Sequence, residues 1–195
     1  MVGNSGVYNL IKEPLTKGPG GPQQTQEAES LPLSIRRLDP LRSKTLEQKI
    51  QELADREEIR DLIATYAHRV AHGHSNADLF TDDGSYINRR TPDSPGTVVR
   101  GRKELDAHFI ARPGAAGTAM PMIHNTLISI NEDEASAICS IELRVSDNGT
   151  STIASGYYQD RLRREDGLWK FVMRDVTFFH WVPLQQGWAE SLREK

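Results

Sequence analysis

The chain has 195 residues and a formal charge of -3, from 24 Lys plus Arg against 27 Asp plus Glu, with the two signs interleaved. That pattern argues against a nucleic-acid-binding surface, and apolar runs of only a handful of residues are too short for a transmembrane helix or the centre of a signal peptide. A soluble, cytoplasmic protein built on one core is expected, and its single cysteine, Cys139, excludes an internal disulfide and a cysteine-based metal cluster.

From Met1 to Ser43 the chain is rich in Gly, Pro, Gln and Ser, with Gly18-Pro19-Gly20-Gly21-Pro22 at its centre. This composition predicts a flexible arm over residues 1–43. Two apolar clusters in it, Val7 to Ile11 and Leu31 to Leu41, are the parts able to anchor it to its own domain or to a neighbouring subunit.

Ordered structure is expected from Thr45. Leu46, Ile50 and Leu53 have helical spacing, and Asp55 with Glu58 suggests the capped start of a second helix. There Ile59, Leu62, Ile63, Tyr66, Ala67 and Val70 make one apolar stripe, which predicts an amphipathic helix packed on a sheet and ending at Gly73. His68, His72 and His74 gather at its C-terminal end, where a solvated role favourable to the helix dipole competes with a zinc site. No flanking carboxylate completes a ligand spacing, so no metal is expected. Ser75 is placed to cap a short turn leading to Leu79-Phe80.

After the turn Thr81 to Gly84, strands are expected over Ser85 to Arg89 and Thr97 to Arg100, then a helix over Gly101 to Ala111. The Gly- and Ala-rich stretch Arg112 to Met120 reads as a mobile connection or lid. Next comes Pro121-Met-Ile-His-Asn125, a strand whose one face is expected to carry His124, Thr126, Ile128 and Ile130. A histidine facing a cavity is a general-base candidate because its proton affinity lies near neutrality; a core histidine bonded to backbone is the competing reading. Ala135 to Ser146, Thr150 to Glu165 and Leu168 to Trp181 follow as long strands joined at Asn148-Gly149 and Asp166-Gly167, both hairpin dipeptides. Four antiparallel strands this long must twist and bend, giving an α+β domain over residues 44–184 whose sheet wraps the helix around a pocket. Cys139, in an apolar strand, reads as a small core residue. Pro183 is expected to end the last strand and turn the 185–195 tail away.

The order Asp55-Arg-Glu-Glu-Ile-Arg-Asp-Leu-Ile-Ala-Thr-Tyr66, Leu79-Phe-Thr-Asp-Asp-Gly84, Ile123-His-Asn125, Gly156-Tyr-Tyr-Gln-Asp-Arg161 and Asp166-Gly-Leu-Trp-Lys-Phe171 resembles the SnoaL-like branch of the NTF2-like superfamily. The resemblance covers residues 46 to 184 and implies a cone: a strongly bent sheet closed over helices around a deep apolar pocket. It also implies cofactor-free elimination, hydration or isomerisation of a small hydrophobic, aromatic or polycyclic molecule. Within that branch the chain is similar to hexachlorocyclohexane dehydrochlorinase and scytalone dehydratase, which puts His124 and Arg174 at catalytic positions and implies a homo-oligomer, trimer before dimer.

The chain departs from that pattern where the aspartate orienting the histidine should stand, since Val70-Ala71-His72-Gly73 holds no acid. His72 is the nearest substitute, and Tyr66 occupies the place of a lysine. Arg174 is expected to stabilise developing negative charge or else to pair with Asp175 or Glu142. Tyr66, Tyr86 and Tyr158 are phenols able to share that role or to pack in the core. Phe178, His180 and Trp181 are expected at the pocket mouth. Two other functions fit the same fold: a protein that only binds a small molecule, and the small subunit of an aromatic-ring dioxygenase.

Overall fold

Thr45 opens the first helix with a capping box. Its Oγ1 accepts from the Gln48 amide at 3.3 Å while Gln48 Oε1 accepts from the Thr45 amide at 2.9 Å. The computed structural model describes residues 43–110, 119–147 and 149–184. Residues 1–42 of the arm, 112–118 of the expected connection and the 185–195 tail lie outside them, while Ala119 and Met120, expected in that connection, belong to the strand that follows it.

Helix α1 runs unbroken from Leu46–His72, which corrects the expected second start at Asp55. Nothing between Leu46 and Glu58 breaks a helix, and Asp55 is turned inward, where Gln51 Nε2 donates to it at 2.9 Å and Arg164 pairs with it. Gly73 ends the helix in the left-handed region at φ 70, as the composition there predicts. Ile59, Ile63 and Tyr66 form the buried stripe. A 3-10 turn, Ala77–Leu79, is followed by β1 (Phe80–Arg89), β2 (Thr97–Arg100) and α2 (Arg102–Ile110). Then come β3 (Ala119–Asn131), β4 (Glu134–Asp147), β5 (Thr150–Glu165) and β6 (Leu168–Leu184).

Among the described residues six strands make one sheet in the order β2-β1-β6-β5-β4-β3. The last four form the expected antiparallel meander, and β1 joins it parallel to β6. Asp166 and Gly167, at φ 53 and 79, supply the two left-handed residues that a tight hairpin between β5 and β6 needs. Strands of 13 to 17 residues cannot stay flat around a helix, and they bend where the register slips: Ser155/Gly156, Arg161/Leu162 and His124/Leu127. Gly156 is the tightest of these points, because a Cβ there would sit 2.0 Å from the Thr177 carbonyl oxygen.

β6 continues past Trp181, with Pro183 opposite Thr152 and Leu184 opposite Ser151. This corrects the expectation that the chain leaves the sheet after Trp181. The pairing of β1 with β6 reaches only Thr177, so among the described residues no strand pairs with that edge of β6 beyond this point, and it accommodates a residue without an amide hydrogen.

Candidate functional site

The interior follows from which residues oppose one another across the ladders, since directly paired residues share a face. Arg174 of β6 pairs with Asp160 of β5, and Asp160 with Ala137 of β4. One step along the same face lie Val176, Tyr158 and Cys139. All of these are buried, and helix α1 closes over them with Tyr66.

At the centre Arg174 Nη1 donates to Asp160 Oδ2 at 3.2 Å, both side chains being fully excluded from solvent. The guanidinium lies 3.8 Å from the Tyr158 ring centre, 4.2 Å from Tyr66 and 4.7 Å from Phe171, an aromatic box that holds a cation by its π-faces. Asp160 Oδ1 and Arg174 Nε and Nη2 have no hydrogen-bond partner among the described residues. Buried polar atoms are normally satisfied, so three together set this ion pair apart from an ordinary core contact.

Burial pushes the Asp160 carboxyl up to about 6, against the opposing pull of Arg174. Burial also works against the charge of Arg174, but Asp160 outweighs it and holds the guanidinium above its ordinary value. Tyr66 and Tyr158 are both raised, chiefly by burial, and stay protonated as donors. The Cys139 thiol is pushed up to about 12 by burial, in keeping with a core role rather than a nucleophilic one.

His124 is elsewhere. It pairs with Ser140 on the outer face, while Ile123 pairs with buried Ile141 on the inner one. Asn125 sits in the left-handed region at φ 52, within a bulge that sets Asn125 and Thr126 against one β4 residue. The bulge reverses the alternation, so His124 does not share a face with Ile128 and Ile130. His124 is exposed and Arg174 buried; the structure does not bring them together, which corrects the expectation that both stand at catalytic positions of one site.

His72 is exposed too, with its Nδ1 2.7 Å from the His68 carbonyl oxygen and its ring stacked on His74 at 6.4 Å. It faces an open groove shared with Asp61, Thr65 and Arg69. No group of three or more His, Cys, Asp or Glu among the described residues is disposed to hold a metal ion.

Tyr86 is buried against Phe109, at 5.6 Å between ring centres, and its hydroxyl accepts from Asn88 Nδ2 at 3.4 Å. Phe178 is buried on the inner face and meets Trp181 edge-on at 5.1 Å, with Arg90 lying 4.0 Å over the Trp181 ring. Those two aromatics therefore stand at one end of the interior. His180 is on the outer face, its Nδ1 2.9 Å from Ser155 Oγ, which corrects its expected place at the pocket mouth beside Phe178 and Trp181. The slip at Ser155/Gly156 turns it outward.

Two polar residues escaped the sequence reading. Asp160 stands two residues beyond Tyr158 and hence on its face, whereas Asp175 and Glu142 are the acids expected beside Arg174. Those serve Arg89 and Arg144. Asn76 is fully buried with neither side-chain polar atom partnered among the described residues, and no periodicity marks it.

A model of the SnoaL-like domain matches residues 51–175. None of the curated proteins matches by sequence. Among solved structures the chain is similar to a point variant of Rv3472 from Mycobacterium tuberculosis, a protein of unknown function. That pair is 26% identical, with a TM-score of 0.55 over 68% of this chain and 73% of that one. It is also similar to an NTF2-like protein with a cystatin-like fold from Novosphingobium aromaticivorans, at 21% identity and a TM-score of 0.57 over 78% and 99%. A hexachlorocyclohexane dehydrochlorinase, LinA Type2, matches at 18% identity and a TM-score of 0.60 over 71% and 95%. The last two likenesses are likenesses of fold.

Proposed function

Since the chain belongs to the SnoaL-like domain family, we propose that it is a cofactor-independent lyase or isomerase for a small hydrophobic, aromatic or polycyclic molecule, with Asp160 and Arg174 as its reaction centre. The observation that carries this reading is the buried ion pair with three unpartnered polar atoms inside an aromatic box. A carboxylate with a proton affinity near 6 is matched to taking a proton from carbon beside a carbonyl at neutral pH. The unpartnered edge of Arg174 and the protonated phenols of Tyr66 and Tyr158 donate to the oxygen on which negative charge then develops. Tyr86 lines the same interior. Phe178 and Trp181 form the aromatic end through which a flat hydrophobic molecule enters, displacing the ring contact between them.

His124 has no part in this chemistry; with His180 it belongs to the outer sheet face, which we assign to self-association. The reading includes a cytoplasmic location, consistent with a buried free cysteine and with the lack, among the described residues, of a helix long and apolar enough to cross a membrane.

A second reading is a protein that binds such a molecule without transforming it. The outward placement of His124 and the absence of an acid from Val70-Ala71-His72-Gly73 favour it. Incubation with 1-tetralone and 2-tetralone in D2O separates the two. Enzyme-dependent deuteration beside the carbonyl, read by mass spectrometry, supports proton transfer; saturable binding with no label above the protein-free rate supports binding alone.

A further inference from the structure

The C-terminal end of α1 carries two histidines on one face. His68 and His72 stand four residues apart, both exposed, and with Thr65 and Arg69 they line a groove of about 560 Å³. Histidines at this spacing on a helix present two imidazoles to one metal ion. The spacing leaves open which ring nitrogen is free, and a hydrogen bond decides it for His72. Its Nδ1 lies 2.7 Å from the His68 carbonyl oxygen, which only accepts, so Nδ1 carries the proton. In the neutral ring the lone pair is then on Nε2, on the side away from the helix backbone. Metal-ligating histidines are held in this way, with the second nitrogen donating to a carbonyl.

We propose that His68 and His72 chelate a divalent transition-metal ion of the zinc, nickel or copper kind, with Nε2 of His72 and a ring nitrogen of His68 as ligands and water completing the coordination. Two imidazoles on one tetrahedral ion have ring centres roughly 5 Å apart. Those of His68 and His72 are 6.5 Å apart, and rotation of the exposed His68 side chain closes the difference. His74 lies beyond Gly73 with its ring stacked on His72, and no group of three among the described residues is disposed to hold an ion, so the site is the helical pair. The surroundings favour a cation. The pair sits at the negative end of the α1 dipole, Asp61 lines the same groove, and the Arg69 guanidinium is paired with Asp78. Imidazole nitrogens select these ions over magnesium and calcium, which take oxygen ligands.

The test is calorimetric titration of the full chain, carrying no affinity tag, with zinc chloride at neutral pH. Saturable binding is expected, and His68→Ala and His72→Ala should each weaken it on the order of 100-fold, as when a two-armed ligand becomes one-armed, while His74→Ala stays within about threefold. All three positions are exposed, and unchanged circular dichroism checks that the variants fold. As an independent readout, zinc should shift the His72 Nε2 resonance in nitrogen-15 spectra while Nδ1 keeps its proton. No saturable uptake by the parent at millimolar zinc would overturn the proposal. So would binding that His68→Ala and His72→Ala leave unchanged, a His74→Ala loss equal to theirs, or zinc on Nδ1 of His72.

Discussion

Asp160 and Arg174 face each other at 3.2 Å from adjacent strands, neither touching solvent, and each keeps at least one polar atom for which no partner exists among the described residues. A buried ion pair is weak evidence of stability, since the cost of removing both charges from water offsets their attraction. Asp160→Asn, which strands the guanidinium, should therefore cost about 3–5 kcal/mol in chemical denaturation. The paired change Asp160→Leu with Arg174→Met should recover most of that loss. If the paired variant is no more stable than Asp160→Asn, the ion pair is a net stabiliser and its retention needs no functional reason.

The pH dependence of stability has a definite sign. Asp160 ionises near 3.8 in the unfolded chain but only near 6 when folded, so between those values the folded state holds the extra proton. Its contribution is fully present below pH 3.8 and is lost as pH rises through about 6, on the order of 3 kcal/mol in all. Subtracting the stability curve of Asp160→Asn from that of the parent isolates this slope from the other carboxylates. A difference curve that rises with pH over the same window would mean that Arg174 holds the carboxyl below its ordinary value.

Gly156 is where β5 presses against β6. Gly156→Ala would set a methyl 2.0 Å from the Thr177 carbonyl oxygen and 2.9 Å from Phe178 Cα, both backbone atoms, and should cost about 3 kcal/mol or more. Gly149→Ala meets nothing within 4 Å and bears only the strain of φ 78, so about 1 kcal/mol is expected. Thermal denaturation of the two variants tests the contrast, and equal losses would contradict the close approach.

The outer sheet face leaves Phe179 57%, Met120 48%, Val182 47% and Leu127 42% exposed. As the proposed self-association surface it should fail on Phe179→Glu, giving a monomer by light scattering where the parent is larger. A parent that is monomeric at micromolar concentration would remove the proposal.

Much of the fold was legible because its signals are local: a Gly at the helix end, an Asp-Gly hairpin and alternating apolar strands each act within a few residues. The site was less so. A strand's alternation assigns faces only until a bulge intervenes, and the one at Asn125 moved His124 to the outside and put Ile123 in its place. The Ser155/Gly156 slip did the same to His180. The Arg174–Asp160 pairing depends on the register between two 16- and 17-residue strands, which no local pattern gives.

The most direct measurement compares solvent deuterium incorporation into the ketone probe by parent, His124→Ala and Asp160→Asn, each rate referred to folded protein by circular dichroism. With an interior carboxylate as the base, Asp160→Asn should lose on the order of 100- to 10,000-fold while His124→Ala stays within about threefold of the parent. A collapse in His124→Ala, with Asp160→Asn near the parental rate, would contradict the account.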